Sequence, residues 1–200
     1  MGYSHIERSV QVETVVKKSR FIARCVSIAS REEAMAAVDV IRLDSPDARH
    51  HCWAYLLGDP TDAANAGASD DGEPSGTAGK PILNVISHSG IGDVIVVVTR
   101  YFGGIKLGAG GLVRAYSVAA SELLDQVVRV PVQDLQHCVL ELPFAQEQTI
   151  RHWLNLHGGD VDSFDYQESV KLSCRLPRST VPELRAFCRA HKIDLDCAEE

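Results

Sequence analysis

The chain has 200 residues, 45% of them hydrophobic, and a net charge of −7 from 20 basic and 27 acidic side chains. That length suits one large or two small globular domains, and no apolar run approaches the ~20 residues that a membrane-spanning helix needs. The charge balance is negative on both sides of Val128, which excludes a basic nucleic-acid-binding body, so any contact with RNA requires a local patch.

The first residues (MGYSHIERSV) lack a basic segment followed by an apolar one, and the strand pattern after Gly2 argues against a lipidated tail. A cytoplasmic location without membrane association is expected. Val10 to Val16 and Phe21 to Ile28 alternate as two strands joined by KKSR in a hairpin. Ser30 and Glu33 have capping-box spacing ahead of Ala34, Ala37, Val38 and Ile41, which recur at helical period. SPDA ends that helix, and HHCWAYLLG reads as a buried strand. The segment SDDGEPSGTAGKP (69–81) follows as a loop with no large apolar side chain. Pro81 starts a helix carrying Ile82, Leu83, Val85 and Ile86. DVIVVVTRYF is a β-branched run expected at the centre of a sheet covered on both faces. A glycine-rich loop and a helix with Leu112, Tyr116, Ala119, Leu123 and Val127 on one face complete an α+β domain over 1–128.

Residues 129–134 read as a linker. Beyond them, LQHCVLELP is a strand and QEQTIRHWLNLHG a helix closed by Gly158 and Gly159. GDVDSFDY and ESVKLSCRLP form a strand pair, TVPELRAFCRAH a second helix, and IDLDC a short last strand. This βαββα order predicts a ferredoxin-like domain over 135–200. The six cysteines contain no Cys-x-x-Cys pair and are read as buried free thiols.

The strongest local signal for chemistry is VVVTRYFGGIKLGAGGLVRAY, a strand running into five glycines (Gly103, Gly104, Gly108, Gly110 and Gly111) that open a helix. Glycines permit positive φ and close approach of a ligand, and a helix N-terminus offers free N–H groups to an anion. The spacing matches neither nucleotide fingerprint. With Arg100, Lys106, Arg114 and, from the other loop, Lys80, these residues form a candidate RNA- or anion-binding surface; turn formation and helix–sheet packing explain the glycines equally simply. Asp70, Asp71 and Glu73 could hold Mg²⁺, act as acid/base groups or, with His51, support the surface, or act as turn caps. Adjacent strand residues point to opposite faces, so His50 and His51 do not chelate one metal. Tyr101 and Phe102 either stack a base or pack in the core. No nucleophile–base arrangement accompanies the acids, so a non-enzymatic function leads, with no metal or cofactor expected.

KKSRFIA (17–23), PDARHHCWAY (46–55), SDDGEPSGTAGKPIL (69–83) and RYFGGIKLGAGGLVRAY (100–116) together resemble the IMPACT family. The resemblance covers most of 1–128 and extends more loosely, through element order, to 135–200. It implies an N-terminal domain similar in fold to the fourth domain of elongation factor G and to a domain of a small-subunit ribosomal protein, and a C-terminal domain like that factor's fifth. Eukaryotic relatives regulate translation by competing for an activator of an initiation-factor kinase. They carry an additional N-terminal protein-binding domain that does not match this chain, so the kinase pathway is not carried over, and the family supplies no established catalytic residues to transfer. The resulting expectation is a translation-associated protein that contacts RNA, the ribosome or a protein partner of the translation machinery. The alternatives are a nucleotide- or phosphate-binding enzyme or sensor with Mg²⁺ at the acidic loop, and a protein-interaction module.

Overall fold

A computed structural model of the chain describes residues 3–61 and 65–197; Gly2 lies outside them. In chain order the strands and helices are β1 (Ser4–Ile6), β2 (Val10–Val16), β3 (Ser19–Ser27), α1 (Arg31–Asp44), β4 (His50–Leu57), β5 (Asn65–Ser69), α2 (Gly79–Ser89), β6 (Val94–Tyr101) and α3 (Ala109–Leu124). There follow β7 (Arg129–Pro131), β8 (Leu135–Leu142), α4 (Glu147–Leu156), β9 (Asp160–Tyr166), β10 (Val170–Pro177), α5 (Val181–His191) and β11 (Asp194–Cys197). The chain divides into two compact α+β units, Met1–Val132 and Gln133–Glu200. No helix among the described residues is long and apolar enough to cross a membrane.

The first unit is built on a five-stranded antiparallel sheet in the order β2-β3-β6-β4-β5. Its β-branched run becomes β6, central in the sheet and buried from Val94 to Arg100. One face packs against α2 and α3 through Ile82, Ile86, Leu112, Tyr116 and Leu123. The other face packs against α1 through Ala34, Val38 and Ile41. At the start of α1 the Ser30 Oγ accepts from the Glu33 N–H at 3.2 Å, while the Glu33 carboxylate accepts from the Ala29 N–H at 2.8 Å, one residue before the cap. Three elements differ from the sequence expectation, the first being β1, a strand at Ser4–Ile6 where none was expected. Asn65–Ser69, read as part of a loop, is a strand on β4, and Arg129–Pro131, read as part of the linker, is a strand on β1. Neither carries an alternating apolar pattern; each exists because a partner strand offers it hydrogen bonds.

The second unit has an antiparallel sheet in the order β11-β8-β10-β9, with α4 and α5 packed on one face, which is the ferredoxin-like arrangement. The reading of six free thiols fails at one pair. Cys138 and Cys197 are opposite each other on β8 and β11 and form a disulfide, a consequence of strand register that sequence spacing does not reveal. Cys25, Cys52, Cys174 and Cys188 are free and buried.

Candidate anion-binding end of the first unit

Sheet direction decides what meets what. β4 is antiparallel to both β5 and β6, so β5 and β6 end at the same edge of the sheet, and the helices that follow them, α2 and α3, both begin there. The hairpin turn at Lys17–Lys18 lies at that edge too, because Arg20 is opposite Tyr101. The two motif loops, 70–78 and 102–108, therefore converge on one end of the unit.

The acidic loop is held by its own carboxylates. Asp70 accepts from the N–H groups of Gly76 at 2.7 Å and of Ala78 and Gly79 at 2.9 Å, so it caps α2, whose own N-cap, Ala78, has no side-chain acceptor. Burial opposes the Asp70 charge, but the three donors outweigh it and hold the carboxyl below its ordinary range. Asp71 bonds Arg42 at 2.6 Å and the His51 N–H at 2.6 Å, and its carbonyl accepts from His50 Nδ1 at 2.8 Å. Glu73 accepts from Arg100 Nη1 at 2.5 Å and from the Tyr116 hydroxyl at 2.9 Å, in an ion pair whose side chains are 4% and 8% exposed. Cys52 completes the chain by donating to Tyr116 at 3.3 Å. Burial pushes the Cys52 thiol up to about 12 and raises Tyr116 further, so both remain protonated donors.

These contacts correct several sequence expectations. Arg100 is buried, paired with Glu73 and set against the rings of Phe21 and Phe102, which removes it from an RNA-facing surface; its Nε is left without a hydrogen-bond partner. The N–H groups of Gly76, Ala78 and Gly79 are occupied by Asp70, so this backbone does not receive an external anion. Asp70, Asp71 and Glu73 do not form a cation site, since each is engaged separately and no group of three metal-capable side chains occurs among the described residues. His51 is buried and bonded to Thr99 Oγ1 at 3.1 Å; burial lowers its pKa, which keeps the ring neutral. Gly79 packs so closely that a Cβ would lie 2.7 Å from the Ser69 backbone nitrogen, so this glycine is structural.

The glycine-rich loop is arranged differently. Gly103 approaches the hairpin, and a Cβ there would lie 2.0 Å from the Lys18 carbonyl carbon. Gly104 and Gly108 have φ of +83° and +72°. Gly108 is the N-cap of α3, without a side-chain acceptor and with no acid in the first turn. Gly110, in that first turn, has ordinary backbone and no atom within 4 Å of an added Cβ. Lys17, Leu107, Gly111 and Arg114 line a cavity of about 280 Å³ beside it. Lys17, Lys18, Lys106 and Arg114 are exposed and make no ion pair among the described residues; the same holds for Lys80, beside the start of α2. Phe102 and Ile105 are exposed in the same loop, which places Phe102 outside the core. Sequence reasoning missed Lys17 and Lys18 as site residues. The signal was available: two adjacent lysines at a hairpin apex, inside one of the four motif segments.

Comparison with known proteins agrees with the motif pattern. The Impact N-terminal domain family matches residues 17–124, and a domain of unknown function (DUF1949) matches 140–187. IMPACT family member YigZ of Escherichia coli is 42% identical over 177 residues, covering 88% of this chain and 87% of that protein. An IMPACT family member of Haemophilus influenzae is 36% identical over 86% of this chain and 84% of its own length. A crystal structure of a hypothetical protein superposes with a TM-score of 0.68 at 39% identity, covering 100% of this chain and 99% of the other.

Proposed function

As the chain belongs to the IMPACT family, we propose that it is a cytoplasmic, non-enzymatic, translation-associated regulator whose first unit contacts RNA or the ribosome at the open N-terminus of α3. The observation that carries this reading is Gly110. Glycine in a helix costs about 0.5–1 kcal/mol relative to alanine, yet neither a neighbour nor a positive φ requires it here. A ligand backbone in close contact with the first turn would use that space. The N–H groups of that turn have no capping side chain, and Lys17, Lys18, Lys106 and Arg114 surround it with unpaired positive charge. Exposed Phe102 supplies a ring on which a base can stack. Lys80 is an outlying cation, since the helix it begins is already capped.

The family resemblance supports translation as the setting, and the local positive charge supports an anionic ligand, such as a phosphate backbone, over a basic or apolar partner. The phosphate–Mg²⁺ enzyme reading loses its metal ligands to the acidic-loop contacts. The test is co-sedimentation with ribosomes, together with titration of structured RNA at low salt. Binding should weaken with salt by about 0.7–0.9 log units per decade for each phosphate neutralised. Failure to bind either at low salt overturns the proposal.

A further inference from the structure

The second unit holds four of the six cysteines, and strand register sets three of them in a row. Alternation along β8 puts Cys138 on the helix-facing side with Leu140 and Leu142. Cys197 on β11 is opposite Cys138 from one side, and Cys174 on β10 is opposite it from the other. Directly opposed residues of antiparallel strands share a face, with Cβ atoms about 5 Å apart. Cys138 is thus the middle sulfur, bonded to Cys197 and flanked on its far side by the free Cys174 thiol.

Displacement at a disulfide sulfur proceeds through a mixed-disulfide intermediate, with the attacking thiolate opposite the leaving sulfur. The order Cys174–Cys138–Cys197 across the sheet sets the attacking and leaving residues on opposite sides of the middle one. Two further features favour movement. The register of β10 on β9 shifts between Ser173 and Cys174, with Asp162 the extra residue on β9, a bulge that interrupts the ladder on the side of Cys174 away from Cys138. Strand β11 is a four-residue edge strand with Asp194 directly opposite Glu141, a like-charge pair that weakens the ladder.

We propose that these three cysteines form an intramolecular thiol–disulfide exchange site that transfers the covalent tie of β8 from β11 to β10. The Cys174 thiol loses its proton and its sulfur attacks Cys138 Sγ; the Cys138–Cys174 bond forms, the Cys138–Cys197 bond breaks, and Cys197 leaves as a thiolate that takes up the proton. Disulfide count and oxidation state are unchanged, so no external oxidant or reductant is needed. Burial, with Asp162 and Cys188 adding to it, pushes the Cys174 thiol up to about 12, which keeps thiolate scarce and makes the exchange slow while the unit stays closed. After exchange, β11 is held by its hydrogen bonds and packing alone. Ile193 and Leu195 then cover less firmly the groove of about 170 Å³ that they line with Cys188, Arg185 and Arg189.

The full-length protein, purified without reductant, is incubated in oxidant-free buffer at mildly alkaline pH, acid-quenched, alkylated and peptide-mapped by mass spectrometry. The expected result is a Cys138–Cys174 linkage growing as Cys138–Cys197 declines, with four free thiols throughout, and a decline of Cys138–Cys197 at least about tenfold slower in Cys174→Ser. A second arm treats Cys197→Ser with oxidised glutathione, whose reduction to two thiols balances formation of one protein disulfide; Cys138–Cys174 should form. The proposal is overturned if the wild type keeps only Cys138–Cys197 and the Cys197→Ser variant gives Cys138–Cys188, a glutathione adduct or free thiols instead.

Discussion

Two helices of the first unit, α2 and α3, begin at the same end of one sheet, both follow loops that contain glycine, and each has a lysine near its start, Lys80 within α2 and Lys106 before α3. Their termini are nevertheless opposites. The start of α2 is closed: Asp70 reaches back from the end of β5 and takes three backbone N–H groups. The start of α3 has a glycine as its cap, no acid in its first turn and unpaired cations around it. The lesson is that glycine content does not mark an anion site. What separates the two is whether the chain supplies its own carboxylate.

The largest effect that would break this contrast lies at the closed terminus. Arg100→Ala leaves Glu73 buried without its partner and should cost about 3–5 kcal/mol of stability; urea unfolding measures it. A loss under about 1 kcal/mol would mean that the pair does not anchor the loop. Asp70→Ala should cost about 2–3 kcal/mol by the same assay, through loss of a cap and of charge-assisted bonds. Its pH dependence has a defined sign. A carboxyl held below its unfolded pKa stabilises the fold above that pKa and loses the contribution as pH falls through the folded value. The stability gap between wild type and Asp70→Asn should therefore shrink on acidification below about pH 4; a gap that is flat with pH contradicts the capping role.

At the open terminus the signs change. Lys106→Glu with Arg114→Glu should leave stability within about 0.5 kcal/mol per site while RNA affinity falls. Gly110→Ala is the smallest and most selective change: it should raise stability by up to about 1 kcal/mol and yet weaken RNA binding. If it stabilises the protein and leaves binding intact, the glycine has no ligand-facing role.

Much of the first unit was legible from sequence because its elements carry their own period: alternation in β2 and β3, a capping box at α1, β-branched continuity in β6. Strands β1, β5 and β7 were not, because three to five small or mixed residues become a strand only when a partner from elsewhere in the chain offers its edge. At the site, Lys106, Arg114 and the glycines were identifiable as a group, and the convergence of the two loops follows from sheet direction. Arg100 misled the reading. An arginine at the end of an apolar strand looks like a free cation until its partner, Glu73, is known, and 27 residues of chain separate the two. The Cys138–Cys197 tie was hidden for the same reason, with 59 residues between its ends.

The central claim is that the open terminus of α3, and not the capped terminus of α2, faces RNA. Its most direct test is the salt dependence of RNA binding, by fluorescence anisotropy, for wild type, Lys106→Glu/Arg114→Glu and Lys80→Glu. The account predicts that the double variant binds more weakly with a salt slope shallower by about two, and that Lys80→Glu changes the slope by less than about one. Equal slopes and affinities for wild type and the double variant, or a larger loss at Lys80, would contradict it.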